Sequence, residues 1–474
     1  MNTSPKRIAI IGGGIAGVTA AWQLAQLDPT LPTRLEVTLF EASPRLGGIV
    51  ETVREGGFVI ECGPDGWVTE KPWARDLAIE LGLESEIIPS LDATRKTWIL
   101  LDGRLQAIPD GMRMMVPTDL EALDASTLFT AEAKQAFHNE ILRADELRAL
   151  APHPTKDPDE SVATFVLRHF GPEVLAKVGA PLLSGVFGGD VETLSVRAVM
   201  GPYVAMEREH GSLITALKLR TSNRREVSTN MQQATIFSTL KTGLGTLVDR
   251  MVAAIPPHWI QRNTEVKYLS HRPGEGWLIG TNQSTSHFDH VFLAAPPDVA
   301  RALLQPIDAE AATLMAVEAS SAICVALAFP SQVTLPQGFG LLVPPTPGTL
   351  LMAATFTDQK YPHRAPENKS LLRAFFGGAA VERLSRCNND ELAAIARHEL
   401  ARILGPLPEP QITVIRRWPR SLPQYAVGHL ERMQQLTARI TQLTGLTLLG
   451  NGYHGVGLPD LIRDSRFAAK TLVK

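Results

Sequence analysis

Gly12, Gly14 and Gly17 follow an apolar run, Ile8-Ala9-Ile10-Ile11, and open the alanine-rich stretch Val18–Leu27. The spacing is G-x-G-x-x-G. Each glycine has its own physical role. Gly12 permits a tight turn, Gly14 lets backbone approach a pyrophosphate, and Gly17 lets a helix pack on a strand. A helix beginning there presents unpaired N–H groups and partial positive charge to an anion. A second apolar run, Leu35–Phe40, ends at Glu41, 24 residues after Gly17. That is close to the separation at which a carboxylate meets the adenosine ribose hydroxyls. The chemistry predicted is dinucleotide binding at the carboxyl end of a parallel sheet.

The next residues separate flavin from nicotinamide. Arg45-Leu46-Gly47-Gly48 lies just beyond the ribose acid. Paired glycines remove side chains where a flat ring system would lie on backbone, and arginine carries a fork of donors suited to phosphate oxygens. The arrangement resembles a large group of FAD enzymes that includes amine oxidases, carotenoid desaturases and porphyrinogen oxidases.

These residues need elements to position them. Ile8–Ile11 and Leu35–Phe40 read as buried parallel strands and Val18–Leu27 as a helix. A strand ending in a Gly-Pro turn is expected over 57–65, and helices over Pro72–Leu83, Thr130–Leu150, Glu160–His169 and Pro172–Leu183. Residues 151–159 form a proline-rich loop, and 221–231 a polar excursion. Short strands follow over 263–295, then Ser321–Phe329 and Leu371–Phe376. A final strand, Leu446–Leu449, runs into the glycine-rich turn 450–460 and a terminal helix.

Bulk properties narrow the functional class. The chain has 474 residues, 44% hydrophobic and 20% charged, enough for two or three domains with sizeable cores. A formal net charge of −3 gives nucleic-acid binding no electrostatic support. The three cysteines, Cys62, Cys324 and Cys387, are far apart and exclude a disulfide framework or a cysteine-based zinc site. The histidines are scattered, so no metal site is expected. No stretch reaches the roughly 20 apolar residues that span a bilayer, and the early fingerprint leaves no room for a signal or transit peptide. The reading is a cytoplasmic protein.

Four segments then carry a specific resemblance: 57–65 (Gly-Phe-Val-Ile-Glu-Cys-Gly-Pro-Asp), 181–190, 423–429 (Pro-Gln-Tyr-Ala-Val-Gly-His) and 450–460. In this order they resemble the porphyrinogen oxidase family, oxygen-dependent enzymes that convert protoporphyrinogen IX or coproporphyrinogen III to the porphyrin. The similarity runs through the chain, apart from 104–155 and 217–232. It implies an α/β and α+β architecture: a Rossmann-type FAD-binding domain, an inserted mixed-sheet substrate domain and a helical membrane-associated domain. The expected division is 1–85, 215–295 and 425–474 for FAD, 86–214 mainly helical, and 296–424 for substrate.

The resemblance further implies that Gly12, Gly14, Gly17, Glu41, Arg45, Gly47 and Gly48 belong to FAD. Val266 would meet the adenine through backbone, and Gly450, Val456 and Pro459 would lie near the ring. Gly63 and Asp65 would line the substrate cavity beside it. No histidine or cysteine in these motifs suggests a covalent flavin link. No catalytic side chain is assigned, because hydride loss from a porphyrinogen leaves a cation stabilised by adjacent pyrroles, and the protein mainly positions the macrocycle. In eukaryotic-type protoporphyrinogen oxidases an arginine for a substrate propionate is expected where this chain has Thr97, after Arg95 and Lys96. Its absence favours coproporphyrinogen, whose four propionates spread recognition over several donors. Molecular oxygen is the expected acceptor. A homodimer and a peripheral contact with the inner face of the cell membrane belong to the same implication; Met112, Met114, Met115 and Val116 are apolar enough to touch lipid, but a stretch this short is expected more often to pack inside a domain. A related flavin amine oxidase or carotenoid desaturase-like enzyme is the alternative.

Overall fold

A computed structural model describes residues 5–32, 34–153, 157–227 and 235–473. Its first sheet is wholly parallel, with strands in the order Ile260–Gln261, Leu35–Phe40, Lys6–Ile11, His290–Leu293, Leu446–Leu448. Ile8, Ala9 and Ile10 are fully buried, as a strand covered on both faces requires. The first helix, Ile15–Leu27, is buried from Ile15 through Leu24. One core joins its Trp22 and Leu24 to Leu77, Leu244, Met251 and Ile462 from other parts of the chain. An antiparallel ribbon of three strands, Val266–Arg272, Gly276–Thr281 and Thr285–Phe288, flanks this sheet.

The second large sheet has seven strands: Ile412–Pro423, Ala319–Phe329, Ser370–Phe376, Ala353–Phe356, Gly340–Leu342, Thr97–Leu101 and Arg104–Ala107. All its neighbours are antiparallel except Gly340–Leu342 with Thr97–Leu101. The segment expected to be mainly helical thus contributes two strands to the edge of this sheet. Helices follow, with their own core around Phe137, Phe165, Phe170 and Leu213.

Most expected elements form near their predicted bounds, and the departures have causes. The stretch 130–150 is two helices, Ala131–Leu142 and Ala144–Leu150, hinged at Arg143. Arg143 turns its guanidinium to Glu146 and to the Arg168 carbonyl. Pro172–Leu183 is interrupted by a π-turn at Leu175–Gly179, which relieves the clash of Pro181 with the carbonyl four residues back. The polar stretch from 221 continues a helix, Leu213–Val227; its end, 228–231, lies outside the described residues. Met112, Met115 and Val116 are buried in the helical core, the interior packing expected of so short an apolar stretch. Among the described residues no helix is long and apolar enough to cross a membrane.

Candidate functional site

The glycine fingerprint folds as its spacing demands. Gly12 has φ +105°, and a Cβ there would lie 2.6 Å from the Ala294 carbonyl oxygen; one at Gly17 would lie 1.9 Å from the Gly12 carbonyl oxygen. Gly14 caps the first helix with no side-chain hydrogen bond. A Cβ built on Gly14 meets nothing within 4 Å, which leaves open space over the helix N-terminus. An uncapped helix end under open space fits a pyrophosphate.

Glu41 stands beside this turn. Its Oε2 accepts from Gly13 N–H at 2.7 Å and its Oε1 from Ser43 N–H at 2.8 Å. Each oxygen retains a further lone pair for a hydroxyl. The Gly47–Gly48 turn lies directly on the fingerprint: Gly47 N–H donates to the Gly13 carbonyl at 2.7 Å. Val266 is buried and starts its ribbon strand, and Thr264 N–H reaches the Glu41 carbonyl at 2.9 Å. Gly12, Gly14, Gly17, Glu41, Gly47, Gly48 and Val266 are therefore gathered at one end of the parallel sheet.

Arg45 is bonded within the same turn. Its guanidinium turns back on its own loop, donating to the carbonyls of Leu46, Val50 and Gly48, and lies 3.6 Å from Glu51. Glu51 is held bidentately by Arg416 at 2.8 and 2.5 Å. That hydrogen bonding, with the Arg45 charge, holds the Glu51 carboxyl below its ordinary value. In this arrangement Arg45 shapes the glycine turn.

Gly63 and Asp65 sit beside a cluster of buried charges. A Cβ on Gly63 would lie 2.1 Å from the Ile49 carbonyl oxygen, so the strand end and the glycine turn touch backbone to backbone. Residues from the seven-stranded sheet grip the same segment. Trp418 Nε1 donates to the Cys62 carbonyl at 2.7 Å, and Arg373 Nη2 donates to the Gly63 carbonyl. Lys360 Nζ lies 3.0 Å from both Asp65 oxygens, and Arg373 Nη1 lies 3.4 Å from one of them. Burial would raise the Asp65 carboxyl, but Lys360 and Arg373 together hold it below its ordinary value.

A few residues earlier, Glu61 accepts from Leu244 N–H at 2.8 Å and the Thr52 hydroxyl at 2.7 Å, and pairs with the Arg364 guanidinium at 3.0 Å. Burial raises this carboxyl, with Arg364 opposing. Arg364 and Arg373 are buried, and Arg364 Nε and Nη1, Arg373 Nε and the Tyr361 hydroxyl have no hydrogen-bond partner. The sequence reading missed Arg364, Arg373, Lys360 and Glu61. A signal existed: Arg373 is the one charge in the apolar run Leu371–Phe376.

Gly450, Val456 and Pro459 lie where the last parallel strand leads into the terminal helix, Leu458–Leu472. Gly450 has φ +127°, with open space where a Cβ would be. The helix start is pinned by Lys71, whose Nζ lies 2.5 Å from buried Asp460. Thr97 begins a strand of the other sheet, paired with Gly340. It is half-buried. His429 is buried and hydrogen-bonds the Tyr453 carbonyl at 3.0 Å, while His454 is exposed. Among the described residues no cluster of His, Cys, Asp or Glu could hold a metal ion.

Parallel sheet, glycine turns and ribose acid define a dinucleotide-binding oxidoreductase with a second, mixed sheet closing over the site. The family model of flavin-containing amine oxidoreductases matches residues 15–473, and the chain belongs to that family. It is an FAD-dependent oxidoreductase. It is 33% identical to coproporphyrinogen III oxidase of Bacillus subtilis, covering 99% of this chain and 98% of that one. It is 28% identical to protoporphyrinogen oxidase of Bos taurus, covering 98% of each. A solved structure from Exiguobacterium sp. 255-15, provisionally described as a protoporphyrinogen oxidase, matches with a TM-score of 0.85 and 31% identity over 100% of this chain and 99% of the other.

Proposed function

We propose that this chain oxidises coproporphyrinogen III to coproporphyrin III in haem biosynthesis. The supporting observation is the full-length 33% identity to a coproporphyrinogen III oxidase; threonine at position 97, in place of a propionate-binding arginine, points the same way. Six hydrogens leave the macrocycle as three two-electron steps, since one flavin carries two electrons at a time. Three O2 become three H2O2. The protein's contribution is positioning: an apolar slot for the ring system, cationic groups for the propionates, and exclusion of competing paths.

On this reading Gly12, Gly14, Gly17, Glu41, Arg45, Gly47, Gly48 and Val266 hold the dinucleotide, and Gly63, Gly450, Val456 and Pro459 border the ring. Asp65 and Thr97 line the substrate cavity. FAD is held without a covalent link by segments 1–85, 215–295 and 425–474, with 86–214 a mainly helical domain and 296–424 the substrate domain. The enzyme works in the cytoplasm, in peripheral contact with the membrane's inner face, and as a homodimer.

The test is turnover of both porphyrinogens by purified enzyme, with peroxide and porphyrin counted against anaerobic controls. Faster turnover of coproporphyrinogen III and three peroxides per porphyrin are expected. A ratio far from three overturns the cycle; faster turnover of protoporphyrinogen IX overturns the substrate. Glu41→Ala should weaken FAD binding by about 1.5–3 kcal/mol for each charged hydrogen bond lost, read by flavin fluorescence on titration. Recovery wholly in the low-salt supernatant refutes the membrane contact.

A further inference from the structure

The segment Pro423–His429 has no part in the reaction as derived, yet it sits where three parts of the molecule meet. It leaves the strand Ile412–Pro423 of the seven-stranded sheet. Gln424 Nε2 donates to the Phe187 carbonyl at 2.8 Å, and the Tyr425 carbonyl accepts from Ser195 N–H at 2.7 Å. Val427 N–H reaches the Thr193 carbonyl at 2.9 Å, and Gly428 N–H reaches Asp159 at 3.0 Å. The backbone is thereby fixed to the helical part.

The Tyr425 and His429 side chains face the other way, onto the loop 450–457. Their rings stack with centroids 3.9 Å apart and planes 12° from parallel. The Tyr425 hydroxyl donates to the Asn451 carbonyl at 2.6 Å and accepts from Gly455 N–H at 3.0 Å. His429 Nε2 lies 3.0 Å from the Tyr453 carbonyl. A carbonyl only accepts, so Nε2 carries the proton. Burial lowers the His429 pKa to about 4, which leaves the ring neutral and Nδ1 bare, without a partner. One stacked pair thus holds backbone at residues 451, 453 and 455. The loop contains Gly450, Gly452, Gly455 and Gly457 and has little conformational preference of its own.

We propose that Tyr425 and His429 are positioning residues for the flavin, setting the loop 450–457 against the ring from behind. The proposal rests on the reading that Gly450, Val456 and Pro459 border that ring. It separates what the loop is, a flexible glycine turn, from what makes it a defined surface.

The test uses the holoenzyme with Tyr425→Phe, His429→Leu, His429→Gln and Val456→Glu. FAD dissociation constant, visible circular dichroism of the bound flavin, flavin midpoint potential and thermal unfolding are measured for each. Tyr425→Phe keeps the stack and loses both hydrogen bonds, and should weaken FAD binding about tenfold and alter the flavin dichroism. His429→Leu should do the same, with recovery in His429→Gln, whose terminal amide replaces the Nε2–H donor. FAD affinity within about twofold of the parent, a loss well below that of one hydrogen bond, with unchanged dichroism and potential in Tyr425→Phe and His429→Leu, would overturn the proposal, whatever happens to thermal stability. Val456→Glu separates the two failures. If it perturbs the flavin while the ring variants are silent, only the positioning role fails; if it too is silent, the loop does not border the ring and both readings fall.

Discussion

Where Glu61 and Asp65 meet Lys360, Arg364 and Arg373, cations outnumber carboxylates; where Glu140, Glu160 and Glu207 meet Arg168 and His169, the balance is reversed. Both networks lie largely inside the protein, and both tie distant elements together. They differ in reach and in completeness. Lys360 and Asp65 are 295 residues apart, and Arg373 and Gly63 are 310 apart. In the helical network the longest link, Leu213 N–H to Glu140, spans 73. The helical network is also nearly saturated: Glu140 accepts from His169, the Ser212 hydroxyl and Leu213 N–H, and only Glu207 Oε2 lacks a partner. The first network leaves three guanidinium nitrogens and the Tyr361 hydroxyl unpaired beside the Gly63 strand end. A saturated network holds a fold together, whereas an excess of buried donors at a glycine-lined backbone is the signature of a site.

The largest effect expected from breaking this contrast is in Arg364→Leu. It strands the buried Glu61 carboxylate, and loss of one partner of a buried pair costs about 3–5 kcal/mol. Chemical denaturation of the variant measures it. FAD affinity should fall with it, because Glu61 also fixes Leu244 and Thr52. Glu140→Gln should cost less, about 2 kcal/mol for the weakened charged hydrogen bonds, with FAD affinity and the flavin spectrum unchanged. A spectral change there would erase the distinction between the networks.

The two should also fail at opposite ends of the pH scale. Burial would lower the His169 pKa, but Glu140 and Glu207 raise it above 6.5. Its stabilisation is complete below the unfolded value and is lost as pH rises through the folded one. Asp65 is held below 3.8, so its contribution is present above that value and lost as pH falls through the folded pKa. Unfolding of His169→Gln as pH rises from 6.5 should show a shallower loss of stability than the parent. An identical slope would mean His169 does not carry it. The smallest effect is expected from Thr97→Arg, near the sheet edge and outside both networks. It should shift relative turnover toward protoporphyrinogen IX about threefold, a fraction of what a well-placed charged contact provides, and leave stability unchanged.

Much of the nucleotide half was legible because its signals are local. Lys6–Ile11, Leu35–Phe40 and the first helix follow from apolar runs punctuated by glycines, and Glu41 lies beside Gly13 as its spacing requires. The other half of the site was not legible in that way. Lys360 ends a short helix, Arg364 ends a proline turn, and Arg373 lies within an apolar strand, so no common spacing marks them as partners of one strand end. Thr97–Leu101 and Arg104–Ala107 precede a helical stretch in sequence and yet complete a sheet whose other strands begin at Ala319.

Sequence by itself determined the dinucleotide cradle, since glycine sterics and the periods of strand and helix act over a few residues. It also determined the class of cofactor through Glu41 and the paired glycines. Only the tertiary structure decided that Arg45 folds back onto its own turn, that Gly63 and Asp65 are gripped by Arg373 and Lys360, and that Tyr425 and His429 stack beneath the last loop. Those outcomes depend on which charges lose their water together. Desolvation is set by where segments 310 residues apart meet, and no local pattern in the chain records that meeting.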